Sequence, residues 1–185
     1  AFFTLYAVNA LGMTAADGSR LLGQLSTLFV IFALPAGYLG KAIGRRTTIL
    51  IGIAMMAIGI STIYLLPRET LVQVVTRLPA LGNVPILGLI LMGIGIAWAF
   101  ININSLPMVV DMTDEVHIGT FTGLYYLFST LAAILGPNIY GWIIQLSGGR
   151  FNLVLLISPI FLIAAFLCMA FVKRGEAKKA LPIGD

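Results

Sequence analysis

Charge is what this sequence has least of. Only 10% of its 185 residues are Asp, Glu, Lys or Arg, against roughly 25% in an ordinary soluble domain, and that deficit excludes a water-soluble globular fold. There is one cysteine, Cys168, inside an apolar run, so an intramolecular disulfide is excluded and the redox compartment is left open. There is one histidine, His117, which reads as an ordinary surface residue. No cluster with metal-ligand spacing, no nucleophile beside a base and no phosphate-cradling glycine loop occurs. An enzyme reading has no support, and no cofactor is expected. The net charge of +4 is spread over scattered cations, too few for a nucleic-acid surface; it fits membrane topology instead.

What the sequence does have is apolar length. It is 59% hydrophobic, its mean hydropathy is +1.04, and several runs reach the ~20 residues that cross a bilayer as a helix. Five full spans are predicted, at about Leu21–Leu39, Thr48–Leu66, Val84–Val110, Phe121–Leu146 and Leu153–Val172. Ala1 to Leu11 is apolar but too short to span, and it has no basic stretch before it as a signal peptide would. It reads as the end of a helix that begins upstream, which makes the chain a fragment. Gly12 to Gly18 reads as a polar turn, Glu69 to Asn83 as a weakly amphipathic connection at the interface (Leu71, Val74, Val75, Leu78), and residues 173–185 as a basic tail.

Alternating the spans sets the orientation. With the loop at Gly44-Arg45-Arg46 inside, the inner face carries Lys41, Arg45, Arg46, Lys173, Arg174, Lys178 and Lys179, and the outer face Arg20, Arg68, Arg77 and Arg150. The excess of inner cations predicts a cytoplasmic C-terminus in a plasma (inner) membrane protein. The inner loop after the third span is acidic, with Asp111, Asp114 and Glu115.

Polar groups inside hydrocarbon are costly unless paired, so each needs a reason. On the third span Trp98, Asn102 and Ser105 share a helical face, with Asn104 beside it. An indole beside carboxamides suits a sugar, whose C–H faces stack on the ring and whose hydroxyls pair with the amides. The competing reading makes Asn102 and Asn104 interhelical packing contacts. On the fourth span Thr122, Tyr126, Ser129 and Thr130 follow helical spacing, with Tyr125 adjacent; either a cavity or an interfacial aromatic belt accounts for the tyrosines. Gly136-Pro137-Asn138 reads as a kink that permits rocking or as a packing irregularity. Tyr6 and Asn9 on the partial helix, and Gln24 and Thr27 on the first full span, are weaker cavity candidates. Gly52, Gly59 and Ser61 mark the second span as a packing helix. No carboxylate sits at mid-span.

The stretch Gly37-Tyr-Leu-Gly-Lys-Ala-Ile-Gly44-Arg45-Arg46 resembles the Gly-x-Leu-Ala-Asp-Arg-x-Gly-Arg-Arg loop of major facilitator superfamily transporters. The leading glycine, the leucine, the second glycine and both arginines match; Lys41 replaces the usual aspartate, and Ala42 an often basic residue. The block from Gly93 to Gly141 looks like helices ten and eleven of that superfamily's sugar:cation symporter branch, the glycoside-pentoside-hexuronide and sucrose-transporter-like proteins. It carries a glycine-rich outer half, Ala97-Trp98, the helix-ending Pro107, Asp111 at the inner face and a Gly123-Leu-Tyr125 entry to the next helix.

The resemblance implies an all-α integral membrane protein: the C-terminal half of a twelve-helix carrier, comprising the end of helix seven and helices eight to twelve. It implies secondary active transport of a small solute, a sugar coupled to protons or sodium, with a missing N-terminal six-helix half and membrane lipid as partners. Trp98, Asn102, Asn104, Ser105, Tyr126, Tyr6 and Asn9 become substrate-facing candidates. Gly37, Lys41, Gly44, Arg45, Arg46, Asp111 and Asp114 become gating candidates, with the arginines latching the aspartates when the inner face closes. Three alternatives stay open: an exporter of apolar compounds, a half-size carrier that pairs with itself, and a non-transporting membrane protein on the same fold.

Overall fold

The computed structural model describes residues 2–79 and 81–173. The tail cations Arg174, Lys178 and Lys179 lie outside the described residues. The elements in order are α1 (Phe2–Asn9), α2 (Ala15–Ile43), α3 (Arg45–Leu65), α4 (Arg68–Val72), β1 (Val74–Leu78), β2 (Gly82–Pro85), α5 (Ile86–Asp111), α6 (Ile118–Leu146) and α7 (Asn152–Phe171). Of these, α2, α3, α5, α6 and α7 are long and apolar enough to cross a membrane. They are the five expected spans, so the chain is a multi-pass, all-α membrane fold.

Two connections differ from the sequence expectation. The polar stretch Gly12–Gly18 is not a turn throughout, because α2 starts at Ala15. Thr14 is its N-cap: its Oγ1 accepts from the Asp17 amide at 3.1 Å and its hydroxyl donates to Asp17 Oδ2 at 2.7 Å. Small polar residues there are a helix start signal. The Glu69–Asn83 connection is a short helix followed by a two-stranded antiparallel hairpin, with Thr76 opposite Val84, Arg77 opposite Asn83 and Leu78 opposite Gly82. The β-branched run Val74-Val75-Thr76 favours strand, and Gly82 supplies the positive φ (72°) that closes the turn. The basic loop also shrinks. α2 continues through Gly37 to Ile43, and Gly44 alone, at φ 95° and ψ 140°, separates it from α3.

α5 is the axis of the bundle. It packs along α2 on one side and α3 on the other, while α7 covers α3. Close backbone approach makes this possible: a Cβ at Gly52 of α3 would lie 2.8 Å from the Ala97 carbonyl oxygen, and one at Gly95 of α5 would overlap that of Leu25. In a bilayer, where apolar burial between helices gains little over lipid, such small-residue contacts are a main source of cohesion. Toward the hairpin end, Leu21, Met56, Ile63, Leu71, Leu87 and Leu91 form one core. At the Gly44 end, Ile49, Ile53 and Met108 form another, against Leu162 and Phe166 of α7.

α6 is different. It buries only Ile144, and although α7 buries no residue at all, α7 packs along α3 whereas α6 touches α5 and α7 only lightly. Among the described residues nothing lies within 4 Å over Gly119, Gly123 or Gly136. A hydrogen bond of 2.9 Å between Tyr140 and Ser158, with Tyr140 edge-to-face on Phe161, ties it to α7. The helix runs unbroken through Gly136-Pro137-Asn138.

Candidate functional site

The end of the bundle at Gly44 gathers several helix termini, beginning with the C-terminus of α2 at Ile43. α3 starts there, running antiparallel to α5 and α7, which both finish there. Arg45 and Arg46 occupy the first turn of α3, where the positive end of that helix's dipole disfavours cations; Asp111 closes α5, where the negative end disfavours an anion. Each misfit is relieved by a neighbour. Arg45 Nε donates to Asp111 Oδ2 at 2.7 Å, with the two side chains only 15% and 25% exposed. Arg46 donates from Nε to the Met169 carbonyl at 3.3 Å and from Nη2 to that of Ala170, capping the end of α7. The second capping role was invisible in the sequence, since its partners lie more than a hundred positions away and are backbone atoms.

The rest of the expected gating set is spread out. Asp114 meets neither arginine: its Oδ1 is 2.6 Å from His117 Nδ1 and accepts the His117 amide at 3.0 Å. A partner three residues away outcompetes one on another helix, so Asp114 organises the turn into α6 and is removed from the arginine cluster. Lys41 is exposed in the last turn of α2, a place its charge suits. Gly37 rests against Ile103 of α5 with room to spare.

Of the substrate-facing candidates, Trp98, Asn102 and Ser105 do share a face of α5. Trp98 is 46% exposed. Asn102 Nδ2 reaches only its own helix, the Trp98 carbonyl at 3.3 Å, and the Ser105 hydroxyl turns back to the Ile101 carbonyl at 2.6 Å. Tyr126 stands 55% exposed on α6, edge-to-face against Tyr125. Among the described residues no hydrogen bond joins it to α5.

Two candidates leave the set. Asn104 is fully buried between α5 and α2 and donates to the carbonyls of Ala36 and Phe100, both at 3.0 Å, so it serves as an interhelical contact. Tyr6 is buried in the core beside Leu11 and Leu71. Asn9 bonds to the Leu5 carbonyl and lines a cleft with Tyr64, Arg150 and Asn152. Thr27 bonds back to Gly23. Gln24 is fully buried and donates to the carbonyls of Leu81 at 3.0 Å and Asn83 at 2.9 Å, anchoring the hairpin.

The architecture is therefore a set of membrane-crossing helices around a glycine-lined axis, with paired charges at the end where the chain turns at Gly44. A family model described as Major Facilitator Superfamily matches residues 1–184. Over that length the match leaves almost nothing of the chain outside it, and the chain belongs to the Major Facilitator Superfamily of membrane transporters.

Proposed function

We propose that this chain is the C-terminal six-helix half of a secondary active carrier that moves a sugar with a proton or sodium ion by alternating access. The Gly44 end faces the cytoplasm of a plasma membrane, and an N-terminal half completes the pathway. The observation that supports this reading is the α5 face itself. Trp98 is a half-exposed indole, with Leu89 one of two exposed side chains on α5, and Asn102 follows one turn on with only a long bond to its own backbone. Ring and carboxamide together suit a polyol with apolar C–H faces. In this reading Tyr126, Ser105 and Asn9 are secondary contacts. The Arg45–Asp111 pair holds the cytoplasmic end in one of two states.

Uptake of labelled mono- and disaccharides by the full-length protein in proteoliposomes, with an inward proton or sodium gradient, tests the reading. Accumulation of a sugar above its outside concentration is expected. No uptake under either gradient discards the sugar symporter, and efflux of apolar dyes in the same vesicles would replace it with an exporter.

A further inference from the structure

Two buried carboxamides have the same unusual surroundings. Gln24 of α2 and Asn104 of α5 are both fully buried, and in each the amide nitrogen is satisfied while the oxygen has no hydrogen-bond partner. Each orphan oxygen points at a glycine of the opposite helix. A Cβ at Gly88 of α5 would overlap Gln24 Oε1, and a Cβ at Gly40 of α2 would overlap Asn104 Oδ1. Only a glycine's Cα–H faces each oxygen, a weak compensation at best.

The arrangement is reciprocal. Each helix contributes one carboxamide and one glycine, at the same spacing on both, and α2 runs parallel to α5. The two contacts are sixteen residues apart along each helix, or about 24 Å of helix axis. At the Gly44 end Asn104 grips α2 directly through the Ala36 carbonyl. At the other end Gln24 grips the hairpin, whose second strand runs straight into α5 and whose base is closed by the Ile86 amide on the Gln73 carbonyl at 3.0 Å. The hairpin is thus continuous with α5 and hydrogen-bonded to its first residue. Between the two contacts Gly95 sits against the Leu25 backbone.

We propose that Gln24 and Asn104 are positioning residues: a reciprocal pair of carboxamide-on-glycine staples that locks α2 and α5 in one axial register. The two helices then move as a single body. Trp98 and Asn102, which lie between the staples, are carried as a fixed surface. A slide of one helix along the other would drive each orphan oxygen off its glycine and onto a neighbouring side chain while breaking the amide bonds at both ends. Only the clause about Trp98 and Asn102 rests on the transport reading.

The test is a distance measurement in the full-length protein, with spin labels at Leu34 of α2 and Leu89 of α5, both exposed. The parent should give one narrow distribution. Gly40→Ala, whose new methyl evicts the Asn104 oxygen, should broaden it and lower the melting temperature. Asn104→Ala added to Gly40→Ala relieves the overlap but removes the bond to Ala36, so it should recover melting temperature and narrow the distribution only in part. Gly88→Ala with Gln24→Ala should behave in the same way at the other end. An unchanged distribution in Gly40→Ala, or double variants no narrower and no more stable than the single ones, overturns the proposal. The measurement needs no transported solute, so a protein that takes up no sugar still decides between the outcomes.

Discussion

At the residue scale the Arg45–Asp111 pair carries the most testable physics, because both partners oppose the dipole of their own helix. Arg45 sits at the positive end of α3 and Asp111 at the negative end of α5, so each gains doubly from the other. Asp111→Asn leaves Arg45 at a helix N-terminus with no counter-charge. It should destabilise the protein by about 1–3 kcal/mol, because the pair is only partly desolvated. Reversing both charges, Arg45→Asp with Asp111→Arg, restores the pair and also places each charge at the helix end that favours it. The double variant should therefore recover more stability and more transport than the sum of the single changes predicts. Thermal melting of the four proteins in a cycle, with uptake measured in parallel, checks this; simple additivity means that the pair is not coupled. The pairing was legible because opposite charges at one membrane face have few other partners. The different fates of Asp114 and Asn104 were not, since a local contact to His117 and a contact to the Ala36 backbone leave no mark in residue spacing.

At the scale of elements, hydrophobic length located all five spans, and capping and turn chemistry explain where the rest was missed. Thr14 and Asp17 resemble loop residues in composition while acting as a helix start. Leu71, Val74, Val75 and Leu78 fit a helical stripe and a strand equally well, and the β-branched residues together with Gly82 decide for the hairpin. α6 is the spanning helix packed most lightly against the others: α7, which buries no residue, at least runs along α3, whereas α6 has three uncovered glycines and, among the described residues, one side-chain hydrogen bond to α7. That makes the Tyr140–Ser158 bond a measurable share of its attachment. Interhelical hydrogen bonds in membrane proteins average about 0.6 kcal/mol and reach about 1.7. Tyr140→Phe and Ser158→Ala should each lower stability, and their combination should cost less than the two together, by a coupling within that range. The edge-to-face contact of Tyr140 with Phe161 survives in Tyr140→Phe, so the cycle isolates the hydroxyl.

At the scale of the whole molecule, α5 divides into a face that holds the bundle together and a face that does not. Leu87, Leu91 and Ala97 point into the core formed with α2 and α3, whereas Trp98 is half-exposed and Asn102 bonds only within α5. The two faces predict opposite signatures for truncation. Leu87→Ala empties a fully enclosed site and should cost roughly 2–5 kcal/mol; any loss of uptake should follow from loss of folded protein. Trp98→Ala and Asn102→Ala remove partly exposed side chains outside the core, so the melting temperature should fall far less than in Leu87→Ala while sugar uptake falls. Asn102→Asp, which keeps size and oxygen but loses the amide donor, should fall with Asn102→Ala if the donor meets a solute hydroxyl. Melting curves and initial uptake rates on the same purified samples separate the two kinds of effect. Full uptake by Trp98→Ala and Asn102→Ala in stable protein would move the solute pathway off α5, and the uncovered face of α6 around Tyr126 would then be the surface to probe next.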